Sequence, residues 1–147
     1  MKISMVDVGE KEVIPRLAVA QGKIVLKPET VALVRAGKTK KGDVLAVAET
    51  AGILAVKKTS ELLPLCHQIP IDKVDFEFDF EKSAIACRCA VRARAKTGVE
   101  MEALCGVSAA LLNIWDMVKY LEKDEKGQYP EAQIGEIRVL KKLKGKS

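Results

Sequence analysis

The sequence predicts an α+β fold, an antiparallel sheet with its helices on one face, and three observations carry that expectation. Val74, Phe76, Phe78 and Phe80 alternate with Asp75, Glu77, Asp79 and Glu81. Period two marks a strand with one buried face, and here that face takes every phenylalanine of the chain. After a turn at Lys82-Ser83, Ile85, Cys87, Cys89, Val91, Ala93 and Ala95 alternate with Arg88, Arg92, Arg94 and Lys96. The two runs read as an antiparallel hairpin with acids facing bases across its exposed side. Finally, the element order reads β, two helices, β, β, helix, β. That is the split βαβ pattern of a ferredoxin-like sandwich.

Taken in order, residues 1–21 show little periodicity and read as an irregular N-terminal arm. Gly22 to Lys27 reads as a short strand. Pro28 suits the first position of a helix, with Glu29 in its first turn and Gly37 as its stop. Lys38 to Gly42 is a basic loop, and Asp43 can cap a second helix. The apolar positions of that helix are Val44, Val47, Ala48, Ala51, Leu54 and Ala55. It runs into Lys57-Lys58, where positive charge suits a C-terminus. Pro64 and Pro70 bracket a loop containing Cys66-His67. Thr97-Gly98-Val99-Glu100 matches a capping box for a helix running to about Lys123. The apolar residues of this helix cover more than one stripe, so it should be covered twice, by its own sheet and by another subunit. Glu122 to Ala132 is a polar loop, Ile134 to Leu140 a final strand, and residues 141–147 a basic tail.

A chain of 147 residues is one domain, long enough for a hydrophobic core without disulfides or metal. Residues 1–147 are therefore taken as a single domain. Hydrophobic residues make up 48% and charged residues 31%, a soluble, globular balance. No run of about twenty apolar residues occurs, so no membrane span is expected. The start lacks the apolar core of a signal peptide, so a cytoplasmic location is expected. The four cysteines, Cys66, Cys87, Cys89 and Cys105, form no Cys-x-x-Cys pair, and there is one histidine. A zinc site is not expected, and small buried thiols explain the cysteines better. The net charge of +5 resides in the tail: without Arg138, Lys141, Lys142, Lys144 and Lys146, the first 137 residues carry 20 basic and 20 acidic side chains. A basic tail suits a polyanion or a solvated, frayed end.

Several polar residues stand out. Asp116 and Lys119 lie three apart on the long helix, on a face with Cys105, Ala109 and Leu112. They are either a surface pair near the helix end or a site in which the lysine acts as general acid. His67 is a lone loop histidine, structural or functional. Its neighbour Cys66 cannot form a nucleophilic dyad with it, because adjacent side chains point apart. Glu100 and Glu102 can be first-turn helix acids. Lys41, beside Gly42 before a helix start, can hold a phosphate. No Walker or dinucleotide glycine signature is present.

Together these stretches resemble one family. Met5-Val6-Asp7-Val8, Lys41-Gly42-Asp43-Val44, Leu63-Pro64-Leu65-Cys66-His67, Lys96-Thr97-Gly98-Val99-Glu100-Met101-Glu102-Ala103-Leu104 and Asp116-Met117-Val118-Lys119 look like the successive motifs of cyclic pyranopterin monophosphate synthases, the molybdenum cofactor biosynthesis protein C family. The resemblance spans about residues 5 to 142. It implies a lyase of the cytoplasm acting on a 3′,8-cyclised dihydro-GTP made by a preceding radical enzyme. The product is cyclic pyranopterin monophosphate, with release of pyrophosphate. It also implies a ferredoxin-like fold and a homo-hexamer, a trimer of dimers with active sites at the dimer interface.

Matched position by position, the family's site falls on Asp7, Arg16, Lys41, Lys57, His67, Glu100, Met101, Glu102, Asp116, Lys119 and Lys142. Lys41, Lys57, His67, Arg16 and Lys142 suit a triphosphate and the charge that builds on a departing pyrophosphate. Asp116 with Lys119 suits the proton transfers, and these two with Lys41 and Lys57 form the expected catalytic set. Glu100 and Glu102 suit the guanine-derived ring, with backbone near Met101. The tail departs from the family pattern, so Lys141 or Lys144 competes with Lys142. The loop from Glu122 to Gln133 looks longer than usual and is expected to be peripheral. No metal site and no cofactor is required, and magnesium on the triphosphate is compatible. Neither nucleic acid nor membrane is expected as a partner. A nucleotide- or RNA-binding module is the alternative, but it needs aromatics on the open sheet face. A purely structural oligomer subunit would leave the polar motifs unexplained.

Overall fold

The computed structural model of the chain describes residues 1–145. Its elements are β1 (Ile14–Val25), α1 (Pro28–Arg35), α2 (Val44–Lys57), a four-residue turn of helix α3 (Thr59–Leu62), β2 (Lys73–Glu81), β3 (Ala84–Ala95), α4 (Glu100–Glu122) and β4 (Gln133–Lys144). The strands form one sheet in the order β2-β3-β1-β4, every neighbouring pair antiparallel. This is the ferredoxin-like α+β sandwich, with the helices on one face.

The hairpin has the expected phase. Phe76 pairs with Cys89 and Phe78 with Cys87, all on the helix face, while Glu77 opposes Arg88 on the open face. Arg88 binds Glu77 at 2.7 Å and Asp79 at 3.0 Å. Cys87 and Cys89 are fully buried, but the phenylalanines are only half-buried, because β2 is an edge strand. Asp43 caps α2 as expected, accepting the amide of Ala46 at 3.0 Å.

Four expectations need correction. The arm is shorter than residues 1–21, since β1 begins at Ile14. Its helix face reads Ala18, Ala20 and Ile24, all fully buried, but the small and charged residues among them hid the period. The tail is not free from residue 141. β4 continues to Lys144, with Lys142 opposite Ala18 and Leu143 opposite Leu17; Lys146 and Ser147 lie outside the described residues. The capping box does not form. α4 starts at Glu100 behind Val99, and among the described residues no side chain caps it. Nor is the second apolar stripe of α4 left wholly for another subunit, because α2 crosses it where Gly52 meets the carbonyl of Gly106. Met101 and Leu112 remain exposed.

By length and composition α4 is apolar enough to cross a membrane. Here it lies over β1, β3 and β4, with Val107, Ala110, Leu111, Ile114 and Val118 fully buried in the core.

Candidate functional site

The predicted site residues gather at the two ends of α4. At 1.5 Å rise per residue, Glu100 and Asp116 are about 24 Å apart along the axis.

At the N-terminal end, Glu100, Met101 and Glu102 occupy the first turn of α4. Facing them are the Leu63–Pro70 loop with His67, the end of α2 with Lys57, and the N-terminal arm. Two cavities meet here, sharing His67, Ile69 and Glu102. One, of about 350 Å³, includes Lys57, Ser60 and Gln68 in its wall. The other, of about 250 Å³, is bounded by Val6, Val8, Lys11, Thr97, Gly98, Glu100 and Met101. His67 Nε2 lies 2.7 Å from the carbonyl oxygen of Val6, and Lys96 donates to that of Gly9 at 3.3 Å. These contacts hold the arm across the cavity mouth.

Glu102 is 4% exposed, and burial pushes its carboxyl above the ordinary carboxylate value, with Glu100 adding repulsion. One oxygen of Glu100 pairs with Lys142 at 3.3 Å, while the other, Oε2, is buried without a partner among the described residues. A buried acceptor left unmatched is an open position for a donor brought by a ligand. Of the competing tail lysines, Lys142 reaches this carboxylate, whereas Lys141 pairs opposite Val19 and so belongs to the other sheet face. Burial also raises the Cys66 thiol.

Two expected residues have other engagements. Asp7 accepts the amide of Gly9 at 2.8 Å, shaping the arm's own turn. Arg16 is 8% exposed and donates Nε to the carbonyl of Ala95 at 3.3 Å, bracing the strand that leads into the Lys96–Glu100 segment.

At the C-terminal end, Lys119 Nζ lies 3.0 Å from Asp116 Oδ1, and Lys41 Nζ lies 3.5 Å from Asp116 Oδ2 and 3.2 Å from the Asp116 carbonyl oxygen. The hydrogen bond from Lys119, then its charge and that of Lys41, hold the Asp116 carboxyl below the ordinary value. The same hydrogen bond raises Lys119. All three side chains are solvent-exposed in the single chain, so the surface pair is the geometry present here. The pair nonetheless borders a cavity of about 440 Å³ whose other walls are Leu112, Trp115, Tyr129 and Ile134.

Sequence reading missed this cavity. Tyr129 comes from the long 123–132 loop, expected to be peripheral, and packs edge-on against Trp115 with ring centroids 5.4 Å apart. The available signal was an aromatic side chain directly beside Asp116, with a second aromatic in the loop that follows. Among the described residues, no three His, Cys, Asp or Glu side chains converge as a metal site.

The chain is 63% identical to the probable cyclic pyranopterin monophosphate synthase of Thermococcus kodakarensis, over 97% of this chain and 92% of that protein. It is 61% identical to the protein of the same name from Pyrococcus furiosus, over 97% and 91%. A Methanothermobacter thermautotrophicus relative, named a probable cyclic pyranopterin monophosphate synthase accessory protein, is 56% identical over 97% and 89%. The family model described as MoaC family matches residues 5–145, and with that extent of match the chain belongs to the MoaC family.

Proposed function

We propose that this protein is a lyase of molybdenum cofactor biosynthesis that converts 3′,8-cyclised dihydro-GTP to cyclic pyranopterin monophosphate and releases pyrophosphate. Its substrate would come from a preceding radical enzyme, and its place of work would be the cytoplasm. Family membership and the names of the relatives support the pathway; the two ends of α4 support the chemistry. One end offers a buried acid whose carboxyl is raised above the ordinary value, a carboxylate oxygen unmatched among the described residues, the ammonium groups of Lys57 and Lys142, and the His67 ring. That set suits a guanine-derived ring and a phosphate chain. The other end offers Lys41, Asp116 and Lys119, a proton-transfer set. Magnesium, in this reading, arrives on the triphosphate.

The observation that carries the reading is the separation itself. Two sets about 24 Å apart on one helix cannot both touch one cyclised nucleotide within one chain. Each active site therefore takes one set from each of two subunits, and the exposed Met101 and Leu112 are covered in that contact. A homo-hexamer built as three dimers satisfies this.

The alternative RNA-binding module finds no support in the sheet. Phe76, Phe78 and Phe80 face the helices, and Trp115, Tyr120 and Tyr129 lie on α4 and its loop. No ring is available for stacking on the open face.

The test is subunit mixing. Lys119→Ala and His67→Ala are each expected to be nearly inactive. Co-expressed, they should regain about a quarter of wild-type turnover, since half of randomly formed dimers are mixed and each holds one intact site. No recovery from a properly assembled mixture would place both sets in separate roles. Wild-type protein that makes no pyrophosphate from the cyclised substrate would end the catalytic reading.

A further inference from the structure

We propose that Tyr120 is a positioning residue for the reaction, fixing the 37–42 loop against α4 so that Lys41 stands beside Asp116; this rests on the catalytic reading above. The loop has little of its own to define it. It contains two glycines with positive φ, Gly37 at 68° and Gly42 at 102°, and a turn closed by Thr39 Oγ1 donating to the Gly42 carbonyl at 2.6 Å. Among the described residues, its hydrogen bonds beyond its own turn and the helix before it both end on α4. The Lys40 amide donates to Tyr120 Oη at 2.8 Å, and Lys41 Nζ donates to the Asp116 carbonyl at 3.2 Å. The Lys40 ammonium also lies 5.3 Å from the centre of the Tyr120 ring.

The division of labour follows from chemistry. A lysine has a flexible four-carbon stem, and an exposed ion pair does not hold such a stem in place. The backbone from which the stem grows must be fixed by something else. The Tyr120 hydroxyl does this at the residue directly before Lys41, on the same helix that carries Asp116 and Lys119, one position beyond Lys119. One rigid element thus sets the positions of all three charged groups. The ring adds a second hold, because the Lys40 cation rests over its face.

Tyr120→Phe separates the hydroxyl from everything else. The ring, its cation contact and the packing stay, and only the hydrogen bond to the Lys40 amide goes. Turnover should fall about tenfold, within the hundredfold that a misplacement of about 1 Å costs, and the loss should appear in kcat more than KM. In a Lys41→Met background the same change should cost nothing further, because it acts through Lys41. Independent losses in the double variant would overturn the proposal. A substrate-free arm keeps it separate from the catalytic reading. The Asp116 carboxyl is titrated by carbon NMR in wild type, Lys41→Met and Tyr120→Phe. The Lys41→Met change should raise the midpoint, and Tyr120→Phe should reproduce most of that rise. An unmoved midpoint in Tyr120→Phe sinks the proposal whatever the turnover. A wild type inactive on the cyclised nucleotide sinks only the functional reading.

Discussion

Glu122, in the last turn of α4, accepts the backbone amide of Lys27 at 3.1 Å, 95 residues away in sequence. It also accepts the Thr30 hydroxyl. Lys27 is the N-cap of α1 and offers no side-chain cap of its own. The carboxylate of one helix therefore caps another, where the positive end of the α1 dipole favours it. Glu122 is 1% exposed, so deleting it leaves buried donors without partners. Glu122→Ala should cost about 1–3 kcal/mol, measured by urea unfolding at fixed protein concentration. Glu122→Gln, which keeps an accepting oxygen, should cost less. Equal stability of alanine and wild type would show that water caps α1 instead.

The crossing of α2 and α4 rests on two glycines. A Cβ at Gly106 would meet Val56 Cγ2 at 2.8 Å and Cys89 Sγ at 2.9 Å, and one at Gly52 would meet the Phe76 ring and the Gly106 carbonyl. Helix propensity alone favours alanine at both positions by about 1 kcal/mol. Steric crowding in a packed core works the other way, typically by about 1–3 kcal/mol. Gly106→Ala is expected to destabilise, because its neighbours are branched or anchored in β3. A melting temperature equal to or above wild type would mean that the helices slide apart at little cost.

The fold was legible where period and face agree. The β2–β3 hairpin shows a clean alternation, and Asp43 before Val44 is a plain cap. Legibility failed where a residue's partner is remote. Thr97 and Glu100 have the spacing of a capping box, but Val99 takes the cap position and Glu100 is drawn to Lys142 on β4. Ile14 to Val25 hides its period because its buried face is made of Ala18, Ala20, Gly22 and Ile24, which is small more than apolar. The predicted helix to about Lys123 already carried the two candidate sets apart, Glu100 and Glu102 in its first turn and Asp116 and Lys119 near its end, as α4 does. Nothing in the sequence showed that Tyr129 would border the second set, because a loop's return path is set by tertiary packing.

Thiol reactivity should divide by strand and loop. Burial pushes Cys87 and Cys89 up to about 12, so at ordinary pH neither offers a thiolate. Cys66 and Cys105 are partly exposed. Mass spectrometry after brief alkylation of the native protein should find label on Cys105 and Cys66, and on the strand pair only after unfolding. Label on Cys87 in folded protein would contradict the core packing of β3.

Glu102 makes stability depend on pH. Its folded carboxyl titrates above the ordinary value because it is buried. Between the unfolded and folded values the folded state holds the extra proton, so stability falls as pH rises through that window. Glu102→Gln removes this contribution. Relative to wild type, the variant should therefore gain in melting temperature from about pH 4, the ordinary carboxylate value, toward neutral. A constant difference across that range would mean that Glu102 is solvated in the assembled protein.

The last prediction concerns the direction in which Asp116 acts on Lys119. Their 3.0 Å contact raises the lysine and lowers the carboxyl, so at neutral pH the pair is ammonium and carboxylate. In the proposed reaction Lys119 would therefore enter the cycle as an acid and not as the base. A mere surface pair contributes at most about 1 kcal/mol and hardly touches catalysis, whereas loss of a general acid costs about a hundred- to ten-thousand-fold. Lys119→Ala should fall in that second range, with the oligomer and its melting temperature preserved. Lys119→Arg should remain poor, because guanidinium does not release its proton near neutral pH. The sign of the coupling supplies a sharper test. If Lys119 must be protonated, the alkaline limb of kcat/KM reports its titration in the free enzyme. Asp116→Asn removes the group that holds the proton on, so that limb must move to lower pH. The residual activity of the asparagine variant has to be high enough to trace the limb, and single-turnover formation of product gives that sensitivity. A limb that stays in place, or moves to higher pH, would assign the proton transfer to Lys41 or Lys57.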